Sequence, residues 1–168
     1  MKKSFLVASL VFLFAHNSAT AGTLKIPLAE PAASIQIPDS WEPEQDEDGI
    51  QAESPDATTT IFVEVVEDEE QMEAAIEASI EWLTEDNKLK LDDTSKKEGE
   101  FETEGRKWSR ISWDGESKEW GPAVVGFLFT EVGDGTVMTV TYWVLKKEET
   151  EKSLETLAKI FASVKSIE

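Results

Sequence analysis

The sequence predicts an α+β fold, in which an antiparallel β-sheet of five to seven strands is sandwiched between helices in an α/β/α arrangement. Residues 123–132 and 136–145 have the pattern of two strands joined by the tight turn Gly133-Asp134-Gly135. In both strands the odd-numbered and the even-numbered positions carry apolar side chains. A strand with one face in water alternates apolar and polar residues, so both faces of this hairpin are expected to be covered.

The remaining strands follow from composition and from a period of two. Residues 58–67 are rich in β-branched side chains and predict a strand. Residues 34–38 alternate apolar and polar side chains and end at a proline, which predicts a short strand. Short runs at 50–52 and 106–114 predict two more strands, and the charged segment 88–104 predicts one or two exposed strands.

Two amphipathic helices are predicted, one on each side of the later strands. Apolar residues recur at helical spacing over residues 72–83. Asp68 is placed to cap this helix together with Gln71 three residues later, and Asn87 is a plausible end. A final helix is predicted over residues 147–163. Its apolar face consists of Leu154, Leu157, Ala158 and Phe161.

The first 21 residues have the features of a cleaved signal peptide. Lys2 and Lys3 form a positively charged start, residues 5–15 are an apolar stretch, and Ala19-Thr20-Ala21 has the small-x-small pattern that precedes a cleavage site, here before Gly22. A helix that spans a bilayer needs about 20 apolar residues, so a retained membrane anchor is the less favoured alternative. The sequence therefore predicts a periplasmic or secreted protein that is not inserted in the membrane after cleavage.

The predicted organisation is a signal peptide over residues 1–21, an extended N-terminal arm over 22–33 and a single domain over 34–168. The arm contains two prolines and shows no period. No internal repeat and no linker divides the segment that follows. A mature chain of this size is long enough for one domain with one hydrophobic core.

The charge of the chain restricts its partners. The sequence has 16 Lys and Arg against 35 Asp and Glu, a net charge of −19, and removal of Lys2 and Lys3 with the signal peptide takes this to −21. Nucleic acids and anionic lipids are also negative, so we expect neither as a partner. Cationic protein surfaces and metal ions remain as candidates, and the oligomeric state is left open.

The residue types also restrict the chemistry. The chain has no Cys, and its one His, His16, lies in the predicted signal peptide. Ser-His-Asp and Cys-His catalysis and ordinary zinc or iron–sulfur sites are therefore excluded for the mature protein. A pair of carboxylates could still catalyse hydrolysis, but among 35 acidic residues a chance pair is expected. The sequence predicts a protein that is not an enzyme and implies no cofactor.

One acidic loop is a candidate cation site. Residues 42–48 contain five carboxylates, among them Asp46 and Asp48, and are followed by Gly49. Hard cations such as calcium prefer several oxygen ligands, so Asp46 and Asp48 are the candidate metal ligands. The spacing does not match an EF-hand, and the alternative is a solvated acidic loop.

The six tryptophans are numerous for a chain of this length. Trp108 and Trp113 have opposite parity in one strand and Trp143 lies in the central hairpin, so these three are expected in the core. Trp41 and Trp120 lie in loops beside charged residues, and an exposed loop tryptophan can anchor a partner. They are the candidate partner-binding residues. The alternative is that each packs as a lid over the edge of the core.

The order of elements resembles the PsbP-like superfamily, which includes small exported bacterial domains of the DcrB type. The resemblance rests on the opening Ile37-Pro38 with Trp41, on the strand pair, helix and antiparallel strands that follow, and on a closing helix that ends at Phe161-Ala162-Ser163-Val164. It implies the three-layer fold and an exported, non-enzymatic accessory or partner-binding domain without shared catalytic residues. A periplasmic cation-binding or small-ligand-binding protein is the alternative, and an enzyme comes third.

The processing site can be tested directly. The protein purified from its native host is expected to begin at Gly22, because Ala19 and Ala21 fit the small-residue preference of signal peptidase. Intact mass or N-terminal sequencing measures this. A mature chain that still carries Lys2 and Lys3 would contradict the export prediction.

Overall fold

The computed structural model describes residues 21–47, 49–133, 135–147 and 150–167. The predicted signal peptide lies outside these residues except for Ala21. The described residues form two antiparallel sheets and two α-helices, α1 (Glu69–Glu81) and α2 (Thr150–Ala162). Neither helix is long and apolar enough to cross a membrane. The strands are β1 (Ala21–Ile26), β2 (Ala33–Pro38), β3 (Glu44–Gln45), β4 (Ile50–Glu53), β5 (Thr59–Val66), β6 (Lys90–Thr103), β7 (Arg106–Ser117), β8 (Gly121–Gly133), β9 (Thr136–Leu145) and β10 (Lys165–Ser166).

The larger sheet has the strand order β3-β4-β5-β9-β8-β7-β6 and counts seven strands among the described residues. All of its pairs are antiparallel. The predicted hairpin, β8 and β9, lies near the centre, with Val125 opposite Trp143 and Leu128 opposite Val140. The predicted fold class, a mixed α+β domain built on an antiparallel sheet, is confirmed.

One face of the large sheet, the α2 face, is covered by α2 and by the small sheet β1-β2-β10. The buried residues on this side form one continuous cluster that runs from the small sheet through the large sheet to the helix. Trp108 on β7 belongs to it, and its ring centroid lies 5.4 Å from that of Phe161 on α2. This is the larger of the two cores.

The opposite face, the α1 face, holds a smaller core. The chain leaves α1 through a π-helical turn, Trp82–Asp86, which brings Leu83 onto the sheet. Trp113 on β7 packs on this side, so Trp108 and Trp113 do face opposite sides of the sheet. The buried cluster consists of Leu83, Leu89, Ala123, Val125, Trp143 and Leu145. Both faces of the central hairpin are thus covered.

Side-chain caps fix the start of α1 and the end of the π-helical turn that follows it. The backbone N–H of Gln71 donates to Asp68 Oδ1 at 2.8 Å, and the N–H of Glu67 donates to Gln71 Oε1 at 3.1 Å. At the other end, the backbone N–H and the side-chain Nδ2 of Asn87 each donate to the carbonyl of Trp82 at 3.0 Å. These bonds satisfy terminal groups that a helix leaves without internal partners. The predicted cap pair and the predicted end are both present.

Two segments, 22–33 and the last helix, differ from the expected pattern. The segment 22–33, expected as an extended arm, contains most of β1, because Leu24 and Ile26 alternate and pair with Ile35 and Ala33 of β2. The charged segment 88–104 agrees with the prediction of one or two exposed strands, because it forms one long strand, β6, with an irregularity in register between Asp92 and Lys97.

The apolar face of the last helix is also rotated from the predicted one. Leu154 is 45% exposed, whereas Ile160, which the predicted face left out, is buried. The helix packs on the sheet through Ser153, Leu157, Ile160 and Phe161.

The two-sided core can be tested by truncation of a side chain on the α1 face. Phe127→Ala should lower the free energy of unfolding by about 3–5 kcal/mol, because truncation leaves a cavity in a packed core. Phe127 is 2% exposed and makes an edge-to-face contact with Trp113, with ring centroids 6.0 Å apart. Leu28→Ala is the control, since Leu28 is 52% exposed, and it should cost less than about 0.5 kcal/mol. Chemical denaturation that shows equal losses for the two variants would mean that the α1 face is open.

Candidate functional site: a tryptophan cleft beside helix α1

Trp41, one of the two candidate anchors, is a core residue. It ends the short 3₁₀ turn Asp39–Trp41, is 2% exposed and belongs to the cluster on the α2 face. Glu42 follows with a φ of 48°, and its N–H donates to the carbonyl of Asp39 at 3.0 Å, which turns the chain away after the indole is buried. Trp41 therefore packs as a lid over the core, and it has no exposed ring to offer a partner.

Trp120, the other candidate anchor, lies in the turn between β7 and β8 and is 42% exposed. The hydroxyl of Ser117 accepts hydrogen bonds from the backbone N–H groups of Glu119 at 3.2 Å and Trp120 at 3.5 Å. Gly121 follows with a φ of +86°, a conformation that suits glycine because it has no Cβ. The turn thus holds Trp120 in a defined position on the surface.

Trp120 forms one wall of a cleft that contains two further tryptophans. Its ring lies edge-on to that of Trp143, with centroids 5.8 Å apart and planes at 86°, an arrangement that aromatic pairs favour. Trp82, from the π-helical turn, lines the same cleft of about 130 Å³. The indole Nε1 of Trp143 is buried and has no hydrogen-bond partner among the described residues. We refer to these three residues and the space between them as the tryptophan cleft.

A second depression continues from the tryptophan cleft along α1. It has a volume of about 240 Å³ and lies between the small side chains of the helix and strands β4, β5 and β9. Gln51 and Trp82 line both depressions, so the two depressions form one continuous surface. The hydroxyl of Thr141 donates to that of Ser79 at 2.9 Å and fixes the helix on the sheet. The other residues that line this second depression are Phe62, Glu64, Ala75 and Ala78.

The combined surface, here called the Trp120 surface, offers binding groups of three kinds. The aromatic rings supply flat apolar area, while amide and hydroxyl groups, such as those of Gln51 and Thr60, supply hydrogen bonds. Glu53 and Glu64 add negative charge, and no Lys or Arg of the described residues lines it. Rings with a few polar groups are typical of binding sites.

The cation site predicted in the acidic loop stays a prediction. Asp46 Oδ1 accepts a hydrogen bond from the backbone N–H of Gly49 at 3.0 Å, and the N–H of Asp46 donates to the carbonyl of Gly49 at 3.1 Å. Asp46 thus closes the loop on itself, and Asp48 lies outside the described residues. The part of the chain that the structure describes contains no cluster of three or more Asp, Glu, His or Cys side chains able to hold a metal.

The most strongly perturbed carboxylate lies away from the Trp120 surface. Partial burial raises the pKa of Asp56, but hydrogen bonds from the side chains of Ser54, Ser153 and Thr58 lower it by more, and the net pKa is about 2. The Ser153 hydroxyl, on α2, donates to Asp56 Oδ2 at 2.7 Å. Asp56 therefore ties the turn between β4 and β5 to the last helix, which is a structural role.

Of the three tryptophans of the cleft, the sequence predicts only Trp120 as a candidate partner-binding residue. The sequence predicts Trp143 in the core; the residue is mostly buried, but one part of it lines the cleft. Trp82 was not singled out. The signal that could have found it is its place at the end of the predicted helix, where the helical period brings a side chain to the margin of the buried stripe.

Comparison with solved structures identifies the fold. No family model matches the sequence, and no curated protein matches it. The solution structure of cyanobacterial PsbP (CyanoP) from Synechocystis superposes with a TM-score of 0.53 at 9% identity, over 91% of this chain and 96% of that chain. The crystal structure of LpqN from Mycobacterium tuberculosis, a protein involved in cell envelope biogenesis, superposes with a TM-score of 0.50 at 12% identity, over 88% and 92% of the two chains. The predicted resemblance is confirmed: this chain has a PsbP-like fold.

The link made by Asp56 predicts a pH dependence of stability. Because the pKa of Asp56 is about 2 in the folded protein and is ordinarily 3.8, its stabilising effect is complete above pH 3.8 and is lost as the pH falls through 2. Asp56→Asn should therefore cost about 1–2 kcal/mol at pH 7, a figure reduced for solvent screening, and less at pH 2. Asp93→Asn on the exposed strand β6 is the control with the same change of charge. Thermal unfolding of the three proteins between pH 2 and 7 measures the difference, and a gap that does not narrow in acid would contradict this role.

Proposed function

We propose that this protein is exported through a cleaved signal peptide and acts as a non-enzymatic accessory domain that binds a protein partner through the Trp120 surface. The observation that carries the proposal is the exposure of Trp120, which a serine-capped turn holds against Trp143 at the mouth of a continuous groove. Tryptophans are enriched among the residues that dominate binding energy at protein interfaces. A ring already held in place loses little conformational entropy when a partner packs on it.

The charge of the surface indicates the chemistry of the partner. The chain carries a net charge of −19, and Glu53 and Glu64 contribute to the walls of the groove. A partner with Lys or Arg beside an apolar anchor would complement both features. Long-range attraction would speed the encounter, and the apolar contact with Trp120 would slow dissociation. A basic, partly apolar segment of another protein is thus the proposed occupant.

Export and accessory function are proposed together. Cleavage after Ala21 would leave Gly22 as the first residue of β1, and the pairs from Gly22 opposite Ile37 onward would remain. LpqN, which shares the fold, is involved in cell envelope biogenesis in its own organism, and this supports a role in the periplasm or outside the cell. The absence of Cys, and of His outside the predicted signal peptide, supports a role without catalysis.

Site-specific photo-crosslinking in the native host tests the proposal. A photo-reactive phenylalanine analogue at position 51, in the cleft, should give a discrete adduct with another protein. The same analogue at position 28, on the exposed loop after β1, serves as the control for random contact. The yield of the adduct should fall with rising ionic strength, because charge complementarity is screened over about 8–10 Å near physiological salt.

The role of Trp120 is tested in the same experiment. Trp120→Ala should reduce the adduct formed at position 51 by about tenfold or more, as expected for an interface residue of this kind. Leu28→Ala should leave the adduct unchanged, since Leu28 lies outside the groove. Circular dichroism confirms that both variants are folded. An adduct that is equally strong with and without Trp120, or that is equal at positions 51 and 28, would refute the proposed surface.

A further inference from the structure

A second groove lies on the opposite face of the sheet, beneath α2. It has a volume of about 300 Å³ and is lined mainly by apolar side chains. Val124 and Leu128 of β8 and Val144 of β9 form its floor, and Leu157 and Phe161 of α2 form one wall. An apolar groove of this size is within the range of small-molecule sites.

Two of the exposed large apolar side chains lie at the rim of this groove. Phe101 of β6 is 38% exposed and Leu154 of α2 is 45% exposed, and both line it. The ring of Phe101 is stacked on that of Trp108, with centroids 6.2 Å apart and planes at 5°, and Trp108 in turn contacts Phe161. The exposed ring is therefore part of a continuous aromatic wall and is held open toward solvent at a fixed place.

One positive charge lies on the lining of this groove. Arg110 of β7 is exposed, and within the described residues it forms no salt bridge, although the chain has 35 acidic residues. Its neighbour across the strand pair is Gly99, and a Cβ built there would meet only the Arg110 Nη2, at 3.9 Å. The guanidinium therefore lies beside a residue that has no side chain to pair with it. A guanidinium binds a carboxylate through two parallel hydrogen bonds.

Tyr142 of β9 does not neutralise Arg110. Its ring lies across Gly126 of β8, where an added Cβ would approach the Tyr142 hydroxyl oxygen to 2.8 Å. Burial raises the pKa of Tyr142 above its usual 10, and the hydrogen bond from Ser112 and the positive charge of Arg110 lower it only in part. Tyr142 therefore stays a neutral phenol at physiological pH and leaves the charge of Arg110 available.

We propose that the groove beneath α2 binds a free fatty acid, with the acyl chain along the apolar floor and the carboxylate on Arg110. An apolar channel with Phe101 and Leu154 exposed at its rim, and with one guanidinium that forms no salt bridge within the described residues, complements a single chain with one negative end. The alternative occupant is a second copy of this chain. The rim offers only Phe101 and Leu154 to such a contact, and a net charge of −19 on each copy opposes self-association.

The contributions to affinity have different origins and can be separated. The negative charge of the whole protein repels a fatty acid at long range, so the affinity has to come from burial of the chain and from the short contact with Arg110. Each methylene that is buried should increase the affinity about two- to fourfold. A cationic amphiphile of the same length would keep the contribution from burial of the chain and lose the contribution from the contact with Arg110.

Isothermal titration calorimetry with the mature chain tests the proposal. The probes are octanoate, decanoate and decyltrimethylammonium, all below the concentration at which they form micelles. Decanoate should bind at one site, and about tenfold more tightly than octanoate, because it buries two more methylenes. Decyltrimethylammonium should bind at least tenfold more weakly than decanoate at this site.

Three variants locate the site. Arg110→Gln should weaken decanoate at least tenfold without weakening decyltrimethylammonium. Arg106→Gln is the matched control on the same strand, because Arg106 donates to the Glu131 carbonyl and the Ser166 hydroxyl outside the groove, and it should not change decanoate binding. Leu154→Asp alters a side chain that is 45% exposed, and it should abolish decanoate binding through repulsion at the rim.

Several outcomes would overturn the proposal. These are no binding of decanoate, binding that Arg110→Gln and Leu154→Asp leave unchanged, or equal affinity for the two ten-carbon amphiphiles. Sedimentation velocity identifies the alternative occupant, since a dimer that Leu154→Asp dissociates would assign the rim to self-association. The groove and the Trp120 surface lie on opposite faces, so loss of crosslinking at position 51 and loss of decanoate binding are independent results.

Discussion

The structure depends on one constraint, which is that the central strands β8 and β9 are apolar on both faces. Val125 pairs with Trp143 toward α1, and Leu128 pairs with Val140 toward α2, so the same ladder supplies both cores. Neither face can be left in water without losing the free energy of burying these side chains. The helices and the small sheet are therefore the covers that this strand pair requires.

The covers are smaller than the sheet, and this explains the two grooves. Each α-helix has 13 residues, which corresponds to about 20 Å of length. Strands β6 to β9 have 10 to 14 residues, which corresponds to about 33–46 Å. A single helix cannot cover such strands from end to end. On the α1 face, Trp120 and Trp82 occupy the part of the sheet that the helix does not cover. On the α2 face, the uncovered part of the sheet is the apolar floor beneath Leu154.

Sequence reasoning succeeds here where a local pattern decides the structure. Apolar residues of both parities predicted the two covered faces, and Asp68 with Gln71 predicted the start of α1. It leaves alternatives open where contacts between distant segments determine the structure. Trp41 and Trp120 both lie in loops beside charged residues, yet Trp41 is buried in a cluster whose other members come from segments far apart in the chain. Leu154 follows the helical period of α2, but the helix leaves it at the rim of a groove. Likewise, no spacing in the sequence reveals that Arg110 forms no salt bridge within the described residues.

The two surfaces are separated by a sheet that gives them little means to influence each other. Thr141 and Trp143 point toward α1, while Tyr142 and Val144 point toward α2, so β9 contributes alternate side chains to both. Coupling between sites needs an element with two discrete arrangements that both ligands bias. A central strand that is paired on both sides and buried on both faces is poorly suited to this, because a shift in its register would exchange the side chains of the two cores. The fold therefore favours two independent binding surfaces over a switch between them.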